Sequence, residues 1–145
     1  MKNYHRLALL ALSLVLAVGC RLKDIRTVTL HAADVRCPDC ARAVIRSLAA
    51  IGEVAPDQAV AVDETESTAT AAWENHARNN TAAISKVVVH YASGDIDVTY
   101  DSMKLAIKNL EFAVAEAGYA VQAKPYDIPA DAKARAALPE ACRNH

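Results

Sequence analysis

The spacing of apolar and polar positions divides the chain into short strands and two amphipathic helices. Residues 27–32 alternate, with Val28, Leu30 and Ala32 on one face, and predict a strand. From Pro38 to Ile51 the apolar positions Ala41, Val44, Ile45, Leu48 and Ile51 recur at helical spacing. Pro38 suits the first turn of that helix, where a missing N–H costs nothing, and Gly52 ends it. Residues 86–92 predict a second strand, with Val87, Val89 and Tyr91 on one face. A third follows at 95–100, with Ile96, Val98 and Tyr100. Ser93-Gly94 between them reads as a hairpin turn. Asp101 or Ser102 can cap a second helix over 103–117, whose stripe is Ile107, Leu110, Val114 and Ala117. Gly118 stops it, and 119–124 predict a short fourth strand.

The order strand, helix, strand, strand, helix, strand predicts an α+β fold. It is a ferredoxin-like βαββαβ sandwich, a four-stranded antiparallel sheet with both helices on one face. Residues 53–85 do not fit that plan. About thirty residues stand where a few suffice, and structureless loops of that length are uncommon in compact domains. Within this insertion, residues 70–84 read as partly helical, with Trp73 packed back on the domain. The alternative is a pair of strands at 59–62 and 68–72. The tail, 125–145, is rich in Ala with Pro125, Pro129 and Pro139. It predicts a short helix over 130–137 in an otherwise flexible segment.

The first twenty residues change the picture. Lys2 and Arg6 precede an apolar run from Leu7 to Val18, then Gly19-Cys20. A charged n-region, an h-region too short to span a bilayer and a small residue before the cut predict a secretory signal over 1–19. Leu16-Ala17-Val18-Gly19-Cys20 resembles the bacterial lipobox, which implies a lipid on Cys20 at the start of the mature chain. Residues 20–26 then form a tether and 27–124 the domain. The resemblance implies a cell-envelope protein facing the periplasm. Arg21, in place of the Asp that retains lipoproteins at the inner membrane, favours the outer membrane. Losing Lys2 and Arg6 takes the formal charge from −1 to −3. No basic face for nucleic acid is expected from that balance.

The chemistry concentrates in four cysteines. Cys20 is the lipidation candidate. Cys37 and Cys40, in Val35-Arg36-Cys37-Pro38-Asp39-Cys40, stand where the first strand gives way to the first helix. Partial positive charge at a helix N-terminus favours the thiolate. Such a pair suits a soft metal or reversible disulfide chemistry. Cys142 is left over and, with His145 three residues on, offers an auxiliary ligand pair if the tail folds back. His76 lies one helical turn after Trp73 and is a further auxiliary candidate. His31 and His90 read as sheet residues, Tyr119 as packing near the thiols, and Asp34 and Asp39 as mainly solvated. No Ser/His/Asp group or carboxylate pair stands at catalytic spacing, so binding is expected rather than catalysis.

Two blocks of the sequence resemble the heavy-metal-associated domain family. One is Val35 to Cys40 with Val44, Leu48 and Ile51-Gly52-Glu53-Val54. The other runs from Val87-Val88-Val89 through Asp97-Val98-Thr99-Tyr100-Asp101 and Ile107 to Ala117-Gly118-Tyr119. The resemblance implies a ferredoxin-like domain that binds a metal at Cys37 and Cys40 and exchanges it with a membrane transporter or exporter. Val35 departs from the family, which carries Met there, and so does the insertion. A pair of thiolates suits Cu(I) or Hg(II) better than Zn(II), which prefers four ligands. Cys-Pro-Asp-Cys also resembles a glutaredoxin active site, so thiol–disulfide exchange stays open. A docking module with a structural disulfide is the third reading.

Overall fold

The computed structural model describes residues 23–54, 62–73 and 82–143. The described residues form an α+β fold. Its elements in chain order are β1 (Ile25–His31), α1 (Pro38–Ile51), β2 (Asp63–Glu64), β3 (Thr68–Ala72), β4 (Ile84–His90), β5 (Asp95–Asp101), α2 (Ile107–Glu116), α3 (Ala132–Ala137) and α4 (Glu140–Arg143). The strands make one antiparallel sheet in the order β1-β5-β4-β3-β2. None of the described helices is long and apolar enough to cross a membrane.

Alternation along the strands decides which sheet face is buried. Leu30 of β1, Ala69 and Ala71 of β3, Val89 of β4, and Ile96 and Val98 of β5 all point into one core. There they meet Val44, Ile45 and Leu48 of α1 and Leu110 and Val114 of α2. Burying each large aliphatic side chain stabilises the fold by roughly 1.5–3 kcal/mol. The two helices are joined by the Ser47 hydroxyl, which donates to the Ala113 carbonyl at 2.7 Å. The opposite sheet face is polar and cross-linked between strands. Thr29 donates to Asp97 at 2.6 Å, His31 Nδ1 lies 2.8 Å from Asp95, and His90 Nε2 lies 3.1 Å from Asp97.

A register shift lies between Ile84 and Lys86 of β4. It explains how Ile84 and Val87, three residues apart, are both buried. A bulge inserts one extra residue and restores the inward parity.

Several expectations need correcting. The sheet has five strands, not four: three of the expected strands form, the fourth does not, and the insertion supplies β2 and β3. Residues 68–72 are a strand, as the alternative reading of the insertion has it, and not part of a helix; residues 59–61 and 74–81 of the two readings lie outside the described residues. Small side chains at Ala69 and Ala71 fit the buried face, while Thr68 and Thr70 lie half-buried on the other. β4 begins at Ile84 rather than Lys86 and ends at His90. The strand expected over 119–124 is reduced to two isolated bridges, His31↔Gln122 and Val121↔Ile128. The helix expected from Met103 starts at Ile107. Asp101 holds the intervening turn instead: its carboxylate accepts from the Met103 and Asp24 N–H groups, and its carbonyl from Lys104 and Leu105. Ile107, placed on the core stripe by spacing, is consequently at the helix start and 44% exposed.

Candidate metal or thiol centre

Cys37 is the N-cap of α1, in extended conformation, and its sulfur accepts from the Cys40 N–H at 3.1 Å. Pro38 occupies the first turn, as spacing required. The loop before Cys37 is seated by the β4–β5 turn. Ala32 N–H donates to the Gly94 carbonyl at 2.9 Å, and Arg36 donates to the carbonyls of Ala33 and Ala92. Gly94 has φ +74°, and a Cβ there would meet the Ala32 carbonyl oxygen at 2.5 Å. Only glycine combines that backbone with that closeness. Val35, two residues before Cys37, is fully buried.

Cys37 and Cys40 are joined as a disulfide. The third sulfur comes from the far end of the chain. Cys142 of α4 is a free, buried thiol whose Sγ lies 3.3 Å from that of Cys37. All three Sγ atoms lie within 4.8 Å of one another. Three thiolates bound to one ion at about 2.3 Å would sit roughly 3.8–4 Å apart, so these backbones are already placed for that arrangement once the disulfide is reduced.

The tail that carries Cys142 is docked on the domain. Asp131 N–H donates to the Ala115 carbonyl at 2.9 Å, and the Asp131 carboxylate caps α3 through Ala134 N–H at 2.7 Å. Arg135 is the main tie. Its guanidinium lies 3.0 Å from the Asp34 carboxylate and donates to the carbonyls of Gly118 at 3.3 Å and Arg143 at 3.4 Å. Gly118 has φ +95°, and a Cβ there would stand 2.9 Å from the Arg135 backbone, so the tail can settle only over a glycine. Tyr119 is fully buried, and its hydroxyl has no hydrogen-bond partner of good geometry. Burial, then the neighbouring Cys142, pushes the tyrosine pKa up.

The remaining candidates fall elsewhere. Asp34 is engaged by Arg135, and Asp39 by Arg42, which also reaches Glu64 of β2. His31 and His90 lie on the polar sheet face, paired with Asp95 and Asp97. Cys20, His76 and His145 lie outside the described residues. Sequence spacing missed Gly118 and Arg135 as residues that shape the centre. The one signal pointing to the tail was an unpaired cysteine after a run of prolines.

No protein-family model, curated protein or solved structure matches this chain.

Proposed function

We propose that this domain binds a soft, thiophilic ion through Cys37, Cys40 and Cys142 and passes it on by ligand exchange, without catalysis. The observation that carries the reading is the set of three sulfurs within 4.8 Å, drawn from two distant parts of the chain. Cu(I) and Hg(II) suit so few, soft donors better than Zn(II). The heavy-metal-associated resemblance of the sequence supports the same reading. The α+β fold is compatible with the same reading: β1 and β4–β5 share one antiparallel sheet, Gln122 bridges to His31 of β1, and β3 and β2 lie beyond β4 at the other edge. In this reading a lipid on Cys20 holds the domain to a bacterial envelope membrane, facing the periplasm. A membrane transporter or exporter donates or accepts the ion there. A near-permanent tether lets weak protein–protein affinity suffice.

The test is anaerobic titration of the reduced chain with Cu(I), Hg(II) and Zn(II). One tight equivalent of Cu(I) or Hg(II) is expected, lost on changing both Cys37 and Cys40 to Ser. Undiminished stoichiometric binding by that double variant refutes the assignment. For the anchor, palmitate labelling that disappears on Cys20→Ser is expected, and an unlabelled, freely soluble wild type refutes it.

Thiol–disulfide exchange is the second reading, favoured by the Cys37–Cys40 bond and by the free thiol beside it. One feature of the geometry counts against internal exchange. A thiolate attacks in line with the bond it breaks, and a sulfur–sulfur bond adds about 2 Å, so attack on Cys37 would leave the outer sulfurs more than about 5 Å apart. The three are instead clustered within 4.8 Å. Rapid turnover in an insulin-reduction assay would favour exchange over metal binding.

A further inference from the structure

The centre narrows its own cargo, an inference that rests on the soft-ion reading above. Among the described residues the cluster stops at three sulfurs, and no His, Asp or Glu joins it. Asp39, between the two cysteines, is engaged by Arg42, and Asp34 lies 3.0 Å from Arg135. The centre is also largely buried. Cys40 and Cys142 are each 0% exposed, and only Cys37 is half-buried.

Charge then separates the possible ions. Three thiolates carry three negative charges. A monovalent ion leaves a dianion in this setting, a divalent ion a monoanion, and a trivalent ion a neutral complex. Net charge removed from water is costly unless something compensates it. The compensation here is thin. Arg135 is neutralised by Asp34, Arg42 faces Asp39 and Glu64, and exposed Arg36 points at backbone carbonyls. The end of α1 supplies only a partial positive charge.

Shape points the same way. A trivalent group-15 centre with a lone pair takes three ligands on one side and needs no fourth donor. The N-terminal turn of α1 and the docked tail present three sulfurs and nothing more.

We propose that the three-cysteine centre takes up arsenite or antimonite as a neutral tris-thiolate. The step is an exchange without electron transfer. Three S–H groups meet As(OH)₃, three As–S bonds replace three As–O bonds, and three waters leave. It requires the Cys37–Cys40 disulfide to have been reduced beforehand by a dithiol.

The experiment uses the full chain, reduced anaerobically and freed of reductant, titrated separately with arsenite, Hg(II) and Cu(I). Arsenite is expected to bind one to one, to silence the thiols of Cys37, Cys40 and Cys142 together, and to show three As–S distances in X-ray absorption. Cys142→Ser should weaken arsenite at least about 100-fold, beyond the usual loss of an outer-shell partner. The same variant should keep stoichiometric Hg(II) at Cys37 and Cys40. Cys142→Ala, with its circular dichroism matched to wild type, guards against a folding defect. Arsenite binding that is absent, or equal in wild type and both Cys142 variants, overturns this proposal; if Hg(II) or Cu(I) still binds wild type, the broader soft-ion reading stands. Failure of every ion to bind the reduced chain overturns both.

Discussion

Two segments add to the core of β1, α1, β4, β5 and α2, and they do different work. The insertion joins by backbone. β3 pairs with β4 from Thr68↔His90 to Ala72↔Lys86, Ala69 and Ala71 enter the core, and Trp73 is 1% exposed, its backbone N–H donating to the Ser85 carbonyl. Among the described residues its link toward the thiols is Glu64, held by Arg42 one turn into α1. The tail joins by side chains and isolated bonds: Arg135 to Asp34, Asp131 to Ala115, a single bridge at Val121↔Ile128. Yet the tail brings the third sulfur. A ladder of hydrogen bonds makes a segment part of the cooperative fold, whereas a few side-chain ties leave it able to open on its own. A ligand meant to be gained and lost belongs on the second kind of segment.

The comparison breaks first at Trp73. Trp73→Ala should cost about 3–5 kcal/mol, because a large fully buried side chain is removed where the insertion meets the core. Urea unfolding measures it, and the alkylation rate of Cys142 in the folded protein should not change. A loss under about 1 kcal/mol would mean that the insertion is as loosely attached as the tail.

Gly118 tests the tail. Gly118→Val places a Cβ against the Arg135 backbone at a φ unfavourable for any branched side chain. The expected cost is about 1–3 kcal/mol. Cys142 should be alkylated faster in the folded protein, as read by mass spectrometry under native conditions. Unchanged protection of Cys142 would show that the tail does not depend on this close approach.

A pair of arginine variants sharpens the contrast. Arg135→Ala removes a half-buried ion pair and two carbonyl contacts, at an expected cost of about 1 kcal/mol with faster Cys142 alkylation. Arg42→Ala removes the link between β2 and α1, at similar exposure but away from the tail. Its unfolding midpoint should stay close to wild type, and Cys142 alkylation should not move. Equal effects of the two on Cys142 would erase the distinction between the segments.

The smallest effect is a control on the polar sheet face, in neither segment. His31 first, then Ser93, holds the Asp95 carboxyl below the ordinary value of 3.8. A depressed folded pKa adds stability that is complete above the ordinary carboxylate range and is lost as pH falls through the lower folded value. The pair is more than one-third exposed, so solvent screening leaves roughly a few tenths of a kcal/mol. His31→Gln should remove that acid-side slope in stability between neutral pH and pH 3, measured by urea unfolding at fixed steps.

Local pattern was legible wherever one residue's neighbours in sequence are also its neighbours in space. α1 lies over Pro38–Ile51 with Cys37 at its cap, the turn sits at Ser93-Gly94, and Val98 and Tyr100 face inward as their alternation required. The CxxC motif, a proline at the helix start and a glycine at its end are short-range signals, and each landed where it was read. Contacts between distant residues were decided only on folding. Ala- and Thr-rich residues 68–72 carry too weak a period to choose between helix and strand, and the open edge of β4 chose for them. Asp101 could cap a helix or hold a turn, and the Asp24 N–H it also accepts from settled the turn. Cys142 lies 105 residues from Cys37, so no local period could place it. Its position follows from Gly118 letting the tail approach and from Arg135 finding Asp34. The sequence by itself determined a two-cysteine motif on a helix cap, and tertiary structure made it a three-sulfur centre, because burial and long-range ion pairing act only once the chain has closed on itself.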